Sequence, residues 1–218
     1  MRGNLLRAVS HDLRTPLTSI YGACSAMRDN FDALPRQTHI KLLSDVCADA
    51  QWLVRMGENL LSVTRVDTST VRLSKNDTVL EELIDAVLVK FHKHYPDTEV
   101  HVEIPDEFVS IPMDAMLISQ VLMNLLENAV FHAKGMKNLW LRVEVKGLWA
   151  YFYVEDDGCG IPEDALHKIF TGNYEKTAAP IDGTRSNMGI GLSVCAAIVK
   201  AHGSDITAEN RSGGGAVF

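Results

Sequence analysis

No stretch of this 218-residue chain stays apolar for the about 18 residues that a membrane-crossing helix needs. No charged-then-apolar leader with a small-residue cleavage site opens it. Cysteine is scarce: Cys24, Cys47, Cys159 and Cys195 stand far apart, with no CxxC pair and no histidines at metal-ligand spacing. That excludes a disulfide framework and a zinc site, and predicts reduced, mostly buried thiols in a cytosolic protein. Positive charge is also short. Lys and Arg number 21 against 28 Asp and Glu, a net charge of −7, which argues against a nucleic-acid surface. Internal repeats and low-complexity tracts are absent. The chain is helical by Asn4 and stops at Phe218 inside an apolar run, so it is expected to be a piece of a longer protein.

What is present is an ordinary globular composition, 46% apolar and 22% charged, with room for one large or two small domains. Residues 4–30 carry one helical stripe: Leu6, Val9, Leu13, Leu17, Ile20 and Met27. Asp29 to Pro35 breaks it. A second helix is predicted over 38–66, with the stripe Ile40, Leu43, Val46/Cys47, Ala50, Leu53/Val54 and Leu60/Leu61. A lone hairpin cannot bury both stripes, whereas two copies packed as a four-helix bundle can, so a homodimer is expected. After the polar joint Asp67–Thr70 the pattern becomes mixed, placing a domain boundary between residues 68 and 69. Strands are predicted at 71–73, 100–104, 139–145, 151–155 and 206–208. Helices are predicted at 79–94, 164–170 and 191–201, with another, capped by Asp114, running to His132. This order predicts an α+β sandwich of helices on one face of antiparallel strands.

Several stretches hold side chains that a packed core does not need. Ser10-His11-Asp12-Leu13-Arg14-Thr15-Pro16-Leu17 sets a histidine beside an acid on a helix, next to the apolar stripe, so the imidazole can face solvent. Pro16 withdraws a helical N–H and predicts a bend just beyond it. Asn124 and Asn128, i and i+4, share the helix face opposite the leucines, where two amides can hold Mg²⁺ and phosphate oxygens. Asp156-Asp157-Gly158-Cys159-Gly160 follows a strand, where an acid can accept from an amine and glycines admit a ligand to the backbone. Asn187-Met188-Gly189-Ile190-Gly191-Leu192 ends a small, polar loop and opens a helix, exposing N–H groups to a phosphate. Gly213-Gly214-Gly215 reads equally as a hairpin turn.

In this order and spacing, the His11 stretch resembles the phosphoacceptor box of bacterial sensor histidine kinases. The later patches resemble the asparagine and glycine boxes of the GHKL nucleotide-binding fold, shared by histidine kinases, DNA gyrase, Hsp90 chaperones and MutL repair proteins. The stretch from Ala197 to Gly215 is similar to the potassium-responsive sensor kinases. The resemblance spans nearly the whole chain. It implies a dimerisation and phosphoacceptor domain over 1–68 and a catalytic ATP-binding domain over 69–218. It further implies phosphorylation of His11 by ATP and transfer to the receiver domain of a response regulator. By the same resemblance Asp12 takes the proton from the other ring nitrogen, and Thr15 orients water for the reverse reaction on the partner. Asn128 ligates Mg²⁺ with Asn124 assisting. Asp156 reads adenine with Gly158 and Gly160 giving access, and Gly189, Gly191 and the N–H groups from Leu192 on face the phosphates. The site is expected on the cytoplasmic side of a membrane-anchored parent.

The chain departs from the pattern in places. Where the family carries Lys or Arg, three residues after the second asparagine, it has Phe131, followed by His132, which can substitute for it weakly; Lys176 and Arg185 in the loop are other candidates. Phe170 is present, but Thr171-Gly172-Asn173-Tyr174 is not the usual charged and aromatic run, and Asn187 stands where a glycine is usual. These departures motivate an alternative, a degenerate kinase serving as an ATP-binding dimeric scaffold or response-regulator phosphatase. An ATPase cycle of the gyrase type is disfavoured, because its general-base glutamate is replaced here by Asn124.

Overall fold

A computed structural model describes the backbone over residues 2–66, 73–170 and 190–218, without the side chains of residues 2–12, Trp52, Ile190 and most of 55–66. The chain divides into two compact units, Met1–Leu61 and Ser62–Phe218.

In the first unit, α1 (Arg2–Asp29) and α2 (Arg36–Val66) form the hairpin that the two apolar stripes predict. The helix α1 runs through Pro16, which is buried. Two faces separate on α2. Asp49 is buried, and Leu42, Val46 and Leu53 are half-buried. Beside them Ile40, Leu43, Cys47, Ala50 and Val54 form an exposed stripe at helical spacing, and Leu17, Tyr21 and Cys24 are exposed on α1. The expectation of mostly buried thiols is corrected: Cys24, Cys47 and Cys159 are exposed, and Cys195 alone of the four is buried.

The second unit is a sheet with a helical layer. The sheet order is β2 (Val100–Glu103), β4 (Leu139–Lys146), β5 (Trp149–Asp156), β7 (Ala216–Val217), β6 (Glu209–Asn210). The alternation of β4 puts Leu139, Leu141 and Val143 inward, and Arg142 and Glu144 on the other face. The helices α3 (Leu80–His94), α4 (Ala115–His132) and α6 (Ile190–Ala201) supply Leu80, Ile84, Phe91, Leu122, Leu126, Val194 and Ile198 to one core with those strands. Burying each such side chain contributes about 1.5–3 kcal/mol.

Asp114 caps α4 as expected: its Oδ1 accepts from Leu117 N at 3.2 Å, and its Oδ2 accepts from Ser74 N at 3.3 Å. His202, just past α6, fastens the same corner. Its Nε2 accepts from Asp114 N at 3.1 Å while Nδ1 donates to Ile198 O at 2.8 Å, a pairing that requires the neutral Nδ1–H tautomer.

Four local expectations need correction. Leu73 is not in a strand, and residues 71–72 lie outside the described residues; the first strand is β1 (Asn76–Val79), which pairs antiparallel with β3 (Ser110–Met113). β1 is short and polar, and β3 offers only Ile111 and Met113 around a proline, so neither is long enough to show a period. Residues 206–208 are irregular, and the strand lies at Glu209–Asn210, where pairing to β7 is available. The helix predicted over 164–170 is α5 (Glu163–Leu166) followed by turns. Finally, β2 pairs parallel with β4, because a crossover through β3 and α4 separates them.

Candidate functional site

The C-terminal end of β5 and the C-terminal end of α4 meet, which brings the loop after Asp156 against His132 and Ala133. The loop from Asp156 to Pro162 packs tightly on the helix end. A Cβ on Gly158 would stand 2.7 Å from Ala133, so only glycine fits. The Cys159 thiol donates to the His132 carbonyl at 3.4 Å. His132 is the last residue of α4 and is half-buried.

Asp156 closes β5 and is buried at 4% exposure. Burial pushes its carboxyl up, opposed by hydrogen bonds from the backbone of Gly158 and Ala216. The Gly158 N–H donates to Oδ1 at 2.9 Å. A partly desolvated carboxylate at a loop mouth suits recognition of a hydrogen-bond donor on a ligand.

Asp157 beside it faces the other way. Its Oδ1 accepts from Lys137 N at 2.7 Å and Asn138 N at 2.9 Å, and its Oδ2 accepts from Asn138 Nδ2 at 2.7 Å. The bonds from Asn138 and Lys137 pull it down to about 2. It ties the loop to the segment before β4 and is structural. The motif spacing in the sequence singles out Asp156 but gives no sign of what occupies Asp157.

Asn124 and Asn128 are half-buried on α4, as their spacing predicts. The Asn124 amide nitrogen is buried without a hydrogen-bond partner among the described residues. Asn124 neighbours Cys195 of α6, whose thiol is pushed up to about 12 by burial. One turn before Cys195, Gly191 and Leu192 are half-buried in the first turn of α6. Gly189 lies outside the described residues, as do Lys176, Arg185, Asn187 and the stretch Thr171–Tyr174. Phe131 is 39% exposed and meets Tyr95 edge-on at 6.0 Å; Tyr95 donates to Glu127 Oε1 at 3.2 Å.

In the first unit, His11 and Asp12 lie within α1, and their side chains are outside the described residues. Thr15 is exposed on the same helix. A slot of about 480 Å³ beside β5 is mainly apolar, lined by Ile118, Leu122, Leu125, Phe152 and Val199 with Lys75 and Asp205 among others, and contains none of the predicted site residues.

Comparison with known proteins adds two family matches. Residues 1–69 match the His Kinase A (phospho-acceptor) domain. Residues 113–218 match the histidine kinase-, DNA gyrase B- and HSP90-like ATPase family. The sensor protein KdpD of Clostridium acetobutylicum is 36% identical over 219 residues, covering 100% of this chain and 24% of the relative. The chain thus spans about a quarter of that relative's length. Among solved structures, the catalytic domain of the histidine kinase ThkA is 30% identical with a TM-score of 0.54, covering 66% of this chain and 94% of that one. ThkA in complex with the response regulator TrrA shares the fold at 24% identity and a TM-score of 0.73, covering 99% and 60%.

Proposed function

Since the chain belongs to the sensor histidine kinases, we propose that it is the ATP-consuming core of one, with a phosphoacceptor domain over 1–68 and a catalytic domain over 69–218. A His11 ring nitrogen bonds to the γ-phosphorus of ATP as the bond from that phosphorus to the bridging oxygen breaks, releasing ADP. Asp12 takes the proton from the other ring nitrogen and holds the reactive tautomer. The phosphoryl group then passes to an aspartate of a response regulator, the class of partner with which ThkA was solved. Thr15, exposed one turn from His11, orients water when the partner is dephosphorylated.

The observation that carries the nucleotide reading is the buried Asp156 carboxylate, held by backbone N–H groups at the mouth of a glycine loop beside α4. It reads the adenine amine, Gly158 and Gly160 admit the base, and Gly189, Gly191 and the N–H groups from Leu192 on face the phosphates. His132 takes the place of the cation missing at Phe131. No group of three or more His, Cys, Asp or Glu among the described residues can hold a metal unaided. Asn124 and Asn128 suit a Mg²⁺ that arrives with the phosphates, with Asn128 as the protein's oxygen ligand. Such an ion neutralises phosphate charge, and positioning supplies the rest.

Two copies join through the exposed stripes of α1 and α2 as a homodimer. No helix among the described residues is long and apolar enough to cross a membrane. We place this core on the cytoplasmic side of a membrane-anchored sensor, where ATP is available.

Incubation with γ-labelled Mg-ATP tests the reading. Label that survives alkali and is lost in acid is expected, and His11→Gln should abolish it while nucleotide still binds. Asn128→Ala should remove both label and Mg-dependent binding. Undiminished label in His11→Gln overturns the nucleophile. Nucleotide binding without label in the unmutated chain points instead to the scaffold or phosphatase.

A further inference from the structure

The hairpin of β6 and β7 takes no part in the proposed chemistry, yet it grips the loop that holds Asp156 at both ends. Residues 157–162 have no regular secondary structure, so something else must fix them. Asn210 does so at one end. Its Oδ1 accepts from Ile161 N at 2.7 Å, and its Nδ2 donates to Ile161 O at 2.7 Å. One side chain thereby satisfies both backbone groups of one residue, as a neighbouring strand would. Arg211 acts at the other end, its Nη1 donating to Asp156 O at 3.1 Å. Arg211 is itself held, with Nε 3.4 Å from Glu155 Oε2 and the guanidinium 4.7 Å from the Trp140 ring centre.

The glycines record how close this contact is. A Cβ on Gly160, which has φ +72°, would lie 2.8 Å from Asn210 Oδ1. A Cβ on Gly215, which has φ +90°, would lie 1.9 Å from Asp156 O. The backbone N–H of Ala216, next in line, bonds the Asp156 carboxylate. Asn210 is exposed, so core packing does not account for it.

We propose that Asn210 and Arg211 are positioning residues for nucleotide recognition, clamping the 156–161 loop so that the Asp156 carboxylate is aimed at the base. This rests on the reading of Asp156 as the adenine contact. The clamp acts on the base side of the site and leaves the phosphate side to α4 and α6.

The test uses the 218-residue chain, titrated calorimetrically with ADP, GDP, adenosine and inorganic tripolyphosphate, with melting followed in parallel. In Asn210→Ala, ADP and adenosine should each bind about tenfold more weakly, the scale of one or two lost hydrogen bonds, while tripolyphosphate binding holds. Preference for ADP over GDP should shrink, and KM for ATP should rise by more than kcat falls. Asn210→Asp, which keeps the acceptor and loses the donor, should fall between; it also reads the clamp if the alanine variant does not fold. Arg211→Ala should repeat the pattern. Native melting with unchanged adenosine affinity in either Asn210 variant overturns the clamp, as does equal weakening of adenosine and tripolyphosphate. Failure of the adenine reading itself is distinct: the unmutated chain would then show no preference for ADP over GDP, or Asp156→Asn would leave it unchanged.

Discussion

Asp156 and Asp157 show how far a residue's role depends on what its neighbours donate. Asp157 collects hydrogen bonds from Lys137 and Asn138 and is drawn down to about 2, below the ordinary 3.8. A carboxylate depressed in the folded state contributes stability that is present above its unfolded pKa and lost as pH falls through the folded one. The chain should therefore lose this contribution between about pH 4 and pH 2. Asp157→Asn should melt earlier than the unmutated chain at pH 6, and the gap should close as pH approaches 2. A gap that does not change with pH would show that the ionised form is not what is bound. Phe131 is a second residue-scale case. It is exposed beside the asparagine helix face, and it meets Tyr95 edge-on. Phe131→Lys should tighten ATP binding about tenfold, the scale of one charge-assisted hydrogen bond to phosphate. Titration with a non-hydrolysable ATP analogue checks it, and unchanged affinity would mean that the phosphates lie elsewhere.

At the scale of elements, the glycine run 213–215 reads in the sequence as a turn, and the β6–β7 hairpin bears that out. The sequence does not reveal that its three glycines are unequal. A Cβ on Gly213 meets nothing within 4 Å, whereas one on Gly215 would collide with the Asp156 carbonyl at a positive φ. Gly213→Ala should be close to neutral in thermal melting. Gly215→Ala should cost more than the about 1 kcal/mol of unfavourable backbone geometry alone, and should weaken ADP binding as the Asp156 loop is pushed away. Equal behaviour of the two variants would refute that packing. Long periodic elements were legible from residues alone. Leu117, Leu122, Leu125 and Leu126 make α4 evident, and Asp114 marks its start. The paired strands β1 and β3 were not, because four residues are too few to show a period and become a strand only when a partner is in reach.

For the whole molecule, the exposed stripe Ile40, Leu43, Cys47, Ala50 and Val54 is the clearest unfinished surface. An apolar row of this length on a helix is costly in water unless a second copy covers it. Leu43→Glu should weaken the dimer by at least about 3 kcal/mol, counting one lost leucine on each side. Sedimentation equilibrium would read this as a shift toward monomer. A chain that is monomeric without the substitution would refute the bundle.

Sequence alone determined the helical hairpin, the mixed second half and the family, because periodicity and motif spacing are properties of neighbouring residues. Tertiary structure decided what occupies the second of two adjacent acids, since Lys137 and Asn138 bond Asp157. It also decided that β2 runs parallel to β4, and that Asn210 and Arg211 bond a loop some 50 residues away in the chain. Such contacts join segments far apart in the chain, and no local pattern of side chains encodes which carbonyl a distant arginine will find.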